Sequence, residues 1–324
     1  MSTQDTTGKW YQGTPIWQTM KSEENKEKFN TLGLDYKDKS GAIFWVGTDH
    51  NMSGNGYPDF WMPYDGSFSF ESRIDTVIEL LNTTEYRIII TYFSQPDSDG
   101  HSYGPDSIEV ANSVMEMDNL LGKLIDGIQS LDNNIWDKTD ILIASDHGMT
   151  EVKTDHIIIK RPPEFDLWND DANFIVESSS ANLMITLTND SIYTVDEVIE
   201  LIKNNTEPND KYQVWSKETI PYEYKTSYHD RIPDIIASAD LGYLFRFDNI
   251  SLNDQRWLNQ KGTHGYNNTE YDMRSLFIGY GPSFKNGCSI ETIKSLDYYE
   301  LMCQLLCGLI PSPNNGSIAS IKDV

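Results

Sequence analysis

The chain has 324 residues, of which 38% are hydrophobic, so it is long enough to bury a large core as one domain. Its formal net charge of −25 excludes a protein that binds the phosphate backbone of polymeric nucleic acid, whereas a small anionic substrate stays compatible with a site whose local charge is set by metal ions. Three cysteines give no disulfide framework, and no apolar run is long enough for a transmembrane helix.

The first part of the chain alternates between predicted strands and helices. Charged residues at 23–39 indicate helix and loop, and the apolar run at 41–47 predicts a strand. Residues 70–81 carry apolar side chains at helical spacing, which predicts a helix. These elements lead into the segment on which the chemistry depends.

That segment, residues 95–105, directly follows an apolar, β-rich run at 87–93 that predicts a buried strand. Within it, Asp97 and His101 are four residues apart, so one turn of backbone directs both side chains to one point. A carboxylate and an imidazole together suit a divalent ion such as zinc. Gly100 allows the backbone to turn tightly beside them.

Two later motifs stand in comparable places. Asp146 and His147 follow a predicted strand and precede Gly148, and His264 lies between glycines before the apolar run 275–279. An open α/β sheet places its site at the ends of strands. Each motif alone is more often a solvated turn than a ligand set, but three of them beside strands and glycine turns favour a metal site.

The remaining patterns predict more helix and strand. Residues 107–131 indicate a long amphipathic helix which, with a strand on either side, predicts a βαβ unit and a parallel sheet. Further helices are predicted at 195–204 and 298–309, and the second of these patterns places Cys303 and Cys307 in the core. The long helix is expected to direct one apolar face inward, formed by Val110, Val114, Met117, Leu121, Leu124 and Ile128.

The amino-acid sequences of three segments resemble those of a known family. PDSDGHSYGP at 96–105, SDHGM at 145–149 and GTHGYNN at 262–268 are similar to motifs of the nucleotide pyrophosphatase/phosphodiesterases, members of the alkaline phosphatase superfamily. The resemblance covers about residues 13–316, so residues 1–324 are expected to form a single catalytic domain. It implies an alkaline-phosphatase-like α/β fold with a mostly parallel central sheet flanked by helices. It also implies two zinc ions and hydrolysis of phosphodiester or pyrophosphate bonds through a threonine nucleophile.

The resemblance assigns the metal ligands residue by residue. It implies that Asp97, His101 and His264 hold one zinc ion. Asp146 and His147 are implied to hold the second, together with an aspartate and the nucleophilic threonine from the family's first strand.

That first strand has no counterpart among residues 1–324, so we expect a catalytic domain that is incomplete at its N-terminus. The catalytic residue is left unassigned, since Thr14 precedes a proline as the family's nucleophile does but stands in a setting that matches a later structural segment. Residues 1–324 alone are therefore expected to fold poorly and to show no phosphodiesterase turnover.

Three residues are implied to bind the substrate. Trp45 and Asp49 fall where the family has a Trp-x-Gly-Ser-Asp segment, and Tyr64 falls where a pocket tyrosine stacks on a nucleobase. For Trp45, a purely structural place in the core is an equally good interpretation. No motif supports His50, His156 or His229 as metal ligands.

These expectations leave three functions open. The first is a zinc-dependent enzyme that releases 5′-nucleotides from small nucleotide substrates. The second keeps the metals but acts on choline or lipid phosphodiesters, because aromatic side chains such as Trp45 and Tyr64 also suit a choline cation. The third is a catalytically inactive metal-binding fragment or pseudoenzyme.

Asn-x-Ser/Thr motifs point to the compartment. The family resemblance and these motifs together predict the secretory pathway, with an extracellular or a lysosomal or vacuolar destination, although Met1 does not begin a signal peptide. The motifs begin at Asn51, Asn82, Asn189, Asn204, Asn249, Asn267 and Asn315.

Overall fold

The structure is a computed structural model and describes residues 11, 13–34, 36–51, 56–159, 173–179, 181–208, 210–224, 231–247 and 259–321. Its α-helices are α1 (Ile16–Thr19), α2 (Glu23–Leu32), α3 (Phe70–Asn82), α4 (Asp97–Tyr103), α5 (Ile108–Gln129), α6 (Val195–Asn205) and α7 (Tyr298–Leu305). Its strands are β1 (Lys39–Ile43), β2 (Phe60–Met62), β3 (Tyr86–Thr91), β4 (Ile141–Ala144), β5 (Thr150–Glu151), β6 (Ile157–Ile159), β7 (Phe174–Ser179), β8 (Asn182–Leu187), β9 (Thr206–Glu207), β10 (Tyr212–Ser216), β11 (Ile235–Ala239), β12 (Phe245–Phe247), β13 (Gly262–Thr263) and β14 (Phe277–Tyr280). Within the described ranges, no helix is both long and apolar enough to cross a membrane.

The chain forms two compact units. Unit 1 consists of Met1–Phe93, Glu116–Ile143 and Ile278–Val324, and unit 2 consists of Ser94–Met115 and Ala144–Phe277. Each unit has buried apolar clusters of its own. The prediction that residues 1–324 form a single catalytic domain stays a prediction.

Unit 1 is built on a parallel sheet with the strand order β2-β1-β3. In the central strand, Ile43 pairs with Met62 on one side and with Thr91 on the other. The strands predicted around β1 and β3 are therefore confirmed, although β1 ends earlier than the apolar run. It stops at Ile43 because Phe44 turns the chain at φ 59°.

Helix α3 packs on this sheet through one apolar face. The Ser69 hydroxyl caps the helix by accepting a hydrogen bond from the Ser72 backbone N–H at 3.1 Å. Ile74, Val77 and Leu80 are buried because their spacing of three residues keeps them on one side of the helix. The predicted helix at this position is confirmed.

The second core of unit 1 lies between α1, α2 and α7. Met20, Phe29 and Cys303 are buried there, as expected for Cys303. The matching prediction for Cys307 is wrong, because α7 ends at Leu305 and Cys307 is exposed, with φ 62°. The apolar periodicity continues beyond the point where the helix stops.

Unit 2 contains an antiparallel sheet with the strand order β10-β11-β8-β7. Helix α6 contributes Val198 and Ile202 to the core on this sheet. A capping box begins α6, in which the Thr194 hydroxyl accepts from the Glu197 backbone N–H and the Glu197 carboxylate accepts from the Thr194 backbone N–H. The helix predicted in this segment is confirmed.

The predicted βαβ unit is present as a strand, a helix and a strand, but not as one sheet. Strand β3 pairs with β1 and β4 pairs with β14, so in the described part of the chain they belong to separate hydrogen-bonded sheets. The expectation that Val114 of α5 faces inward is also wrong, since its side chain is 51% exposed.

Candidate metal centre

Helix α4 brings the first two predicted ligands together. It begins at Asp97, a few residues after β3, and Asp97 and His101 lie one turn apart. The Oδ1 atom of Asp97 is 3.4 Å from Nε2 of His101. The four-residue spacing therefore gives the convergence that the sequence predicts.

Strand β13 brings the third ligand to the same place. Its antiparallel pairing with β5 sets Thr263 opposite Thr150, immediately before His264. The strand lies so close to α4 that a Cβ atom at Gly262 would stand 2.4 Å from the carbonyl oxygen of Gly100. Only glycine permits this approach, because any side chain would push α4 and β13 apart.

The backbone fixes the tautomer of His101. Its Nδ1 atom donates a hydrogen bond to the carbonyl oxygen of Gly262 at 2.9 Å, so Nε2 carries the free lone pair. That Nε2 atom lies 3.2 Å from Nε2 of His264. Two imidazole nitrogens thus face each other beside the Asp97 carboxylate.

These three groups fit a cation. Oδ1 of Asp97 is buried without a hydrogen-bond partner among the described residues, 3.6 Å from Nε2 of His264. Asp97, His101 and His264 each offer one ligand atom, and these atoms lie within 4.8 Å of one another. A buried carboxylate oxygen without a partner is costly, and a divalent ion bound by imidazole and carboxylate would satisfy it.

Electrostatics favours the neutral form of His264. Burial lowers the pKa of His264, the neighbouring His147 lowers it further, and the carboxylate of Asp97 opposes both effects. A neutral imidazole keeps the lone pair with which histidine binds a metal ion. His264 is thus held in its metal-binding form.

The predicted second pair, Asp146 and His147, lies beside this group. The ring of His147 stacks on that of His264, with centroids 3.4 Å apart, and its Nδ1 donates to the carbonyl oxygen of Gly148 at 2.9 Å. Nε2 of His147 is 3.5 Å from Oδ2 of Asp146. A Cβ atom at Gly148 would stand 2.0 Å from the carbonyl oxygen of Asp272, so this turn also requires glycine.

The predicted substrate-binding residues belong to unit 1, whereas the metal-binding candidates belong to unit 2. Trp45 is 40% exposed and Tyr64 is 61% exposed, so neither is a core residue. The Tyr64 ring packs edge-on against Phe44, with centroids 5.5 Å apart. Asp49 contacts Nδ1 of His50 through its carboxylate.

Sequence reasoning missed the residues that support these side chains. Gly262 is the first residue of the motif at 262–268, but its close approach to α4 depends on packing that no local sequence pattern shows. Arg73 reads as an ordinary helical arginine, yet it is buried in unit 1. Of the unassigned histidines, His50 and His156 are outside the metal-binding group, and His229 lies outside the described residues.

Comparison with known proteins identifies relatives over most of the chain. The family model of type I phosphodiesterase/nucleotide pyrophosphatase matches residues 1–267. Mouse ectonucleotide pyrophosphatase/phosphodiesterase family member 1 is 33% identical over 321 residues, which is 97% of this chain and 32% of the relative. Human bis(5′-adenosyl)-triphosphatase is 31% identical, covering 97% of this chain and 62% of the relative. The chain thus spans between about a third and three fifths of the length of these curated relatives.

Solved structures agree with these matches. Murine ectonucleotide pyrophosphatase/phosphodiesterase 5, inactivated by a threonine-to-alanine substitution and bound to AMP, superposes with a TM-score of 0.78 at 28% identity, covering 96% of this chain and 74% of that one. The human counterpart gives a TM-score of 0.77 at 30% identity, covering 97% and 75%. The expected alkaline-phosphatase-like α/β fold is confirmed. Since the family model covers most of the sequence, the chain belongs to the type I phosphodiesterase/nucleotide pyrophosphatase family.

Proposed function

We propose that the chain forms a zinc-dependent catalytic domain that hydrolyses phosphodiester or pyrophosphate bonds of small nucleotides and releases 5′-nucleotides. The observation that carries this proposal is the buried Oδ1 atom of Asp97, which faces Nε2 of both His101 and His264 and has no hydrogen-bond partner in the described part of the chain. Such a group suits a zinc ion. Membership of a phosphodiesterase family supports the same chemistry.

Each ligand has a proposed role. Asp97, His101 and His264 hold one zinc ion, and Asp146 and His147 supply part of a second site. When bound, the two ions supply positive charge where negative charge develops on the phosphoryl oxygens. The hydrogen bonds that His101 and His147 donate through Nδ1 orient both rings toward this task.

The nucleophile is proposed to be a threonine hydroxyl. It attacks phosphorus, the bond to the leaving group breaks, and water then hydrolyses the threonine–phosphate bond and releases the nucleotide. The murine relative that is inactive after a threonine-to-alanine substitution supports this assignment. No threonine among residues 1–324, Thr14 included, is assigned this role.

The substrate is proposed to be a nucleotide whose base stacks on Tyr64, with Trp45 and Asp49 contributing to binding. The exposure of the Tyr64 ring leaves a face for stacking. The AMP complex of the murine relative and the name of the human adenosyl-triphosphatase support a nucleotide over a choline ester. Stacking on one aromatic ring contributes about 1–3 kcal/mol.

The place of action is proposed to be outside the cytosol, either extracellular or in a lysosome or vacuole. Some of the curated relatives, such as the mouse family member 1, carry the prefix ecto in their names. Asn82, Asn189, Asn204 and Asn315 begin Asn-x-Ser/Thr motifs and are exposed. They are therefore accessible for glycosylation.

The test uses ligand binding, because binding requires no nucleophile. In the presence of zinc, we expect the chain to bind AMP more tightly than phosphocholine in calorimetric titrations. Tyr64→Ala should lower the affinity for AMP by about 5–150-fold, which corresponds to the loss of one stacking contact. Tyr280→Ala, which removes another exposed tyrosine of unit 1, serves as the matched control and should leave AMP affinity unchanged.

Three results would contradict the proposal. Tighter binding of phosphocholine than of AMP would favour the choline substrate class. AMP affinity that does not depend on zinc or on Asp97 would separate nucleotide binding from the metal centre. Binding of zinc without binding of either ligand would indicate a metal-binding pseudoenzyme.

A further inference from the structure

Unit 1 buries an arginine that forms no ion pair with a carboxylate of the described residues. The side chain of Arg73, in the first turns of α3, is 1% exposed. Its Nη1 atom donates to the carbonyl oxygen of Tyr92 at 2.6 Å, and Nε and Nη2 donate to that of Phe68 at 3.2 and 3.1 Å. The guanidinium therefore joins the end of β3 to the loop that precedes α3.

Aromatic rings enclose the same guanidinium. Its central carbon lies 4.7 Å from the ring centroid of Phe44, 4.8 Å from that of Phe70 and 5.8 Å from that of Phe93. Such contacts are favourable for a desolvated cation. Arginine is suited to them because its planar group can stack on aromatic rings and donate hydrogen bonds at the same time. Lysine cannot reproduce both functions.

This cluster also supports the Tyr64 ring. Phe44 packs edge-on against Tyr64 at 5.5 Å and against Phe68 at 5.7 Å. The short turn from Tyr64 to Phe68 is closed by Asp65, whose carboxylate accepts a hydrogen bond from the Ser67 backbone N–H at 2.8 Å. Arg73 thus contacts the ring of Phe44, which packs against Tyr64, and the carbonyl oxygen of Phe68, which ends the turn that follows Tyr64.

Phe44 adopts an unusual backbone conformation within this cluster. Phe44 has φ 59°, a left-handed conformation that is unusual for a bulky residue. Such a conformation persists only where the surrounding contacts fix it. The stacked guanidinium and the rings of Phe68 and Tyr64 are contacts of this kind.

We propose that Arg73 is a positioning residue for the Tyr64 ring, acting through the ring of Phe44 and the carbonyl oxygen of Phe68. The inference rests on the proposed function in one respect, namely that the positioned ring is the one proposed to stack on the nucleobase. Arg73 itself is not proposed to contact the substrate.

The first experiment needs no ligand. NMR spectra of protein with labelled tyrosine rings, in which Tyr64→Phe identifies the Tyr64 signal, should show one well-dispersed Tyr64 resonance. In Arg73→Met we expect this resonance to move toward the value of a free tyrosine or to broaden, while the signal of the buried Tyr266 in unit 2 stays in place. Arg87→Met, the same change at an exposed arginine of unit 1, should leave the Tyr64 signal unchanged.

The second experiment measures AMP and inorganic phosphate affinities in the presence of zinc. Arg73→Met should lower the affinity for AMP by up to the factor of about 5–150 that is expected for Tyr64→Ala. It should leave the affinity for phosphate within about twofold of the wild-type value. The Tyr64→Ala/Arg73→Met double variant should bind AMP no more weakly than Tyr64→Ala alone, because two residues that act through one contact are not additive. Arg73→Lys keeps the cation and should give an intermediate loss of AMP affinity. This variant also tests the inference if Arg73→Met does not fold.

The outcomes separate this inference from the proposed function. If wild-type protein binds no AMP but the Tyr64 resonance still depends on Arg73, the proposed function fails and the positioning role stands. If AMP binds and Tyr64→Ala weakens it, but Arg73→Met or Arg73→Lys leaves the resonance and the affinity unchanged, the inference is wrong. Equal losses of AMP and phosphate, or additive losses in the double variant, would show a general structural role instead.

Discussion

At the scale of single residues, the metal centre depends on where each imidazole keeps its proton. His101 and His147 both donate through Nδ1 to backbone carbonyls, and burial keeps His264 neutral. The ligand atoms of His101, His264 and Asp97 thus lie within 4.8 Å of one another. The arrangement is unfavourable in an empty site and favourable around a cation.

We therefore expect the purified chain to retain about one zinc ion after dialysis against a mild chelator and to bind a second more weakly, because only one group of three ligands converges among the residues that the structure describes. His264→Gln should lose the retained ion in elemental analysis. His156→Gln, a histidine of unit 2 outside the group, should keep it. Two equally tight ions, or none, would show that the ligand set is different.

The residues of this group could be predicted because each carries a local signal. The four-residue spacing of Asp97 and His101 directs both to one point, and glycine turns mark His147 and His264. The support of Arg73 could not be predicted, because its partners Phe44, Phe68 and Phe93 come together only in the folded chain. Helical periodicity likewise does not tell where α7 ends, and the burial predicted for Cys307 failed for that reason.

At the scale of elements, the site depends on how closely β13 approaches α4. The Lys261 backbone N–H donates to the carbonyl oxygen of His101 at 2.8 Å, and Gly262 leaves no space for a Cβ beside Gly100. One strand and one helix are thus held in contact by close backbone packing and by the hydrogen bond that the His101 ring donates to Gly262. The distance between His101 and His264 follows from that contact.

Gly262→Ala should therefore weaken zinc binding by about 10–100-fold, the range seen when groups that support metal ligands are removed. The added Cβ would meet backbone rather than a mobile side chain, so the strand or the helix must shift. Zinc titration with a competing chelator measures this. Gly122→Ala, inside α5 with no described neighbouring atom within 4 Å of its new Cβ, is the control, and it should keep zinc affinity and raise stability by about 0.5–1 kcal/mol. Equal zinc affinity in both variants would disprove the close-approach argument.

At the scale of the whole molecule, both units bury groups that resist ionisation. Burial raises the pKa of Cys303 to about 11 and that of Tyr36 to about 12 in unit 1, and it raises the pKa of Tyr266 in unit 2. Each of these groups is neutral when protonated, so each keeps its proton in the folded protein at a pH where the unfolded chain has released it. Alkaline pH is therefore expected to destabilise the cores of both units.

The sign of the effect follows from linkage. Because the pKa of Cys303 is higher in the folded state than its ordinary value of 9.0, the stability that it contributes is complete below pH 9.0 and is lost as the pH rises toward about 11. We expect the midpoint of urea unfolding to fall over this range, with Tyr36 adding to the loss above its ordinary value of 10.0. Cys303→Ala should reduce the slope between pH 9 and 11, whereas Cys288→Ala, at an exposed cysteine, should leave it unchanged. A midpoint that stays constant or rises over this range, or the same slope in Cys303→Ala as in the wild type, would show that the thiol is not held protonated by the core.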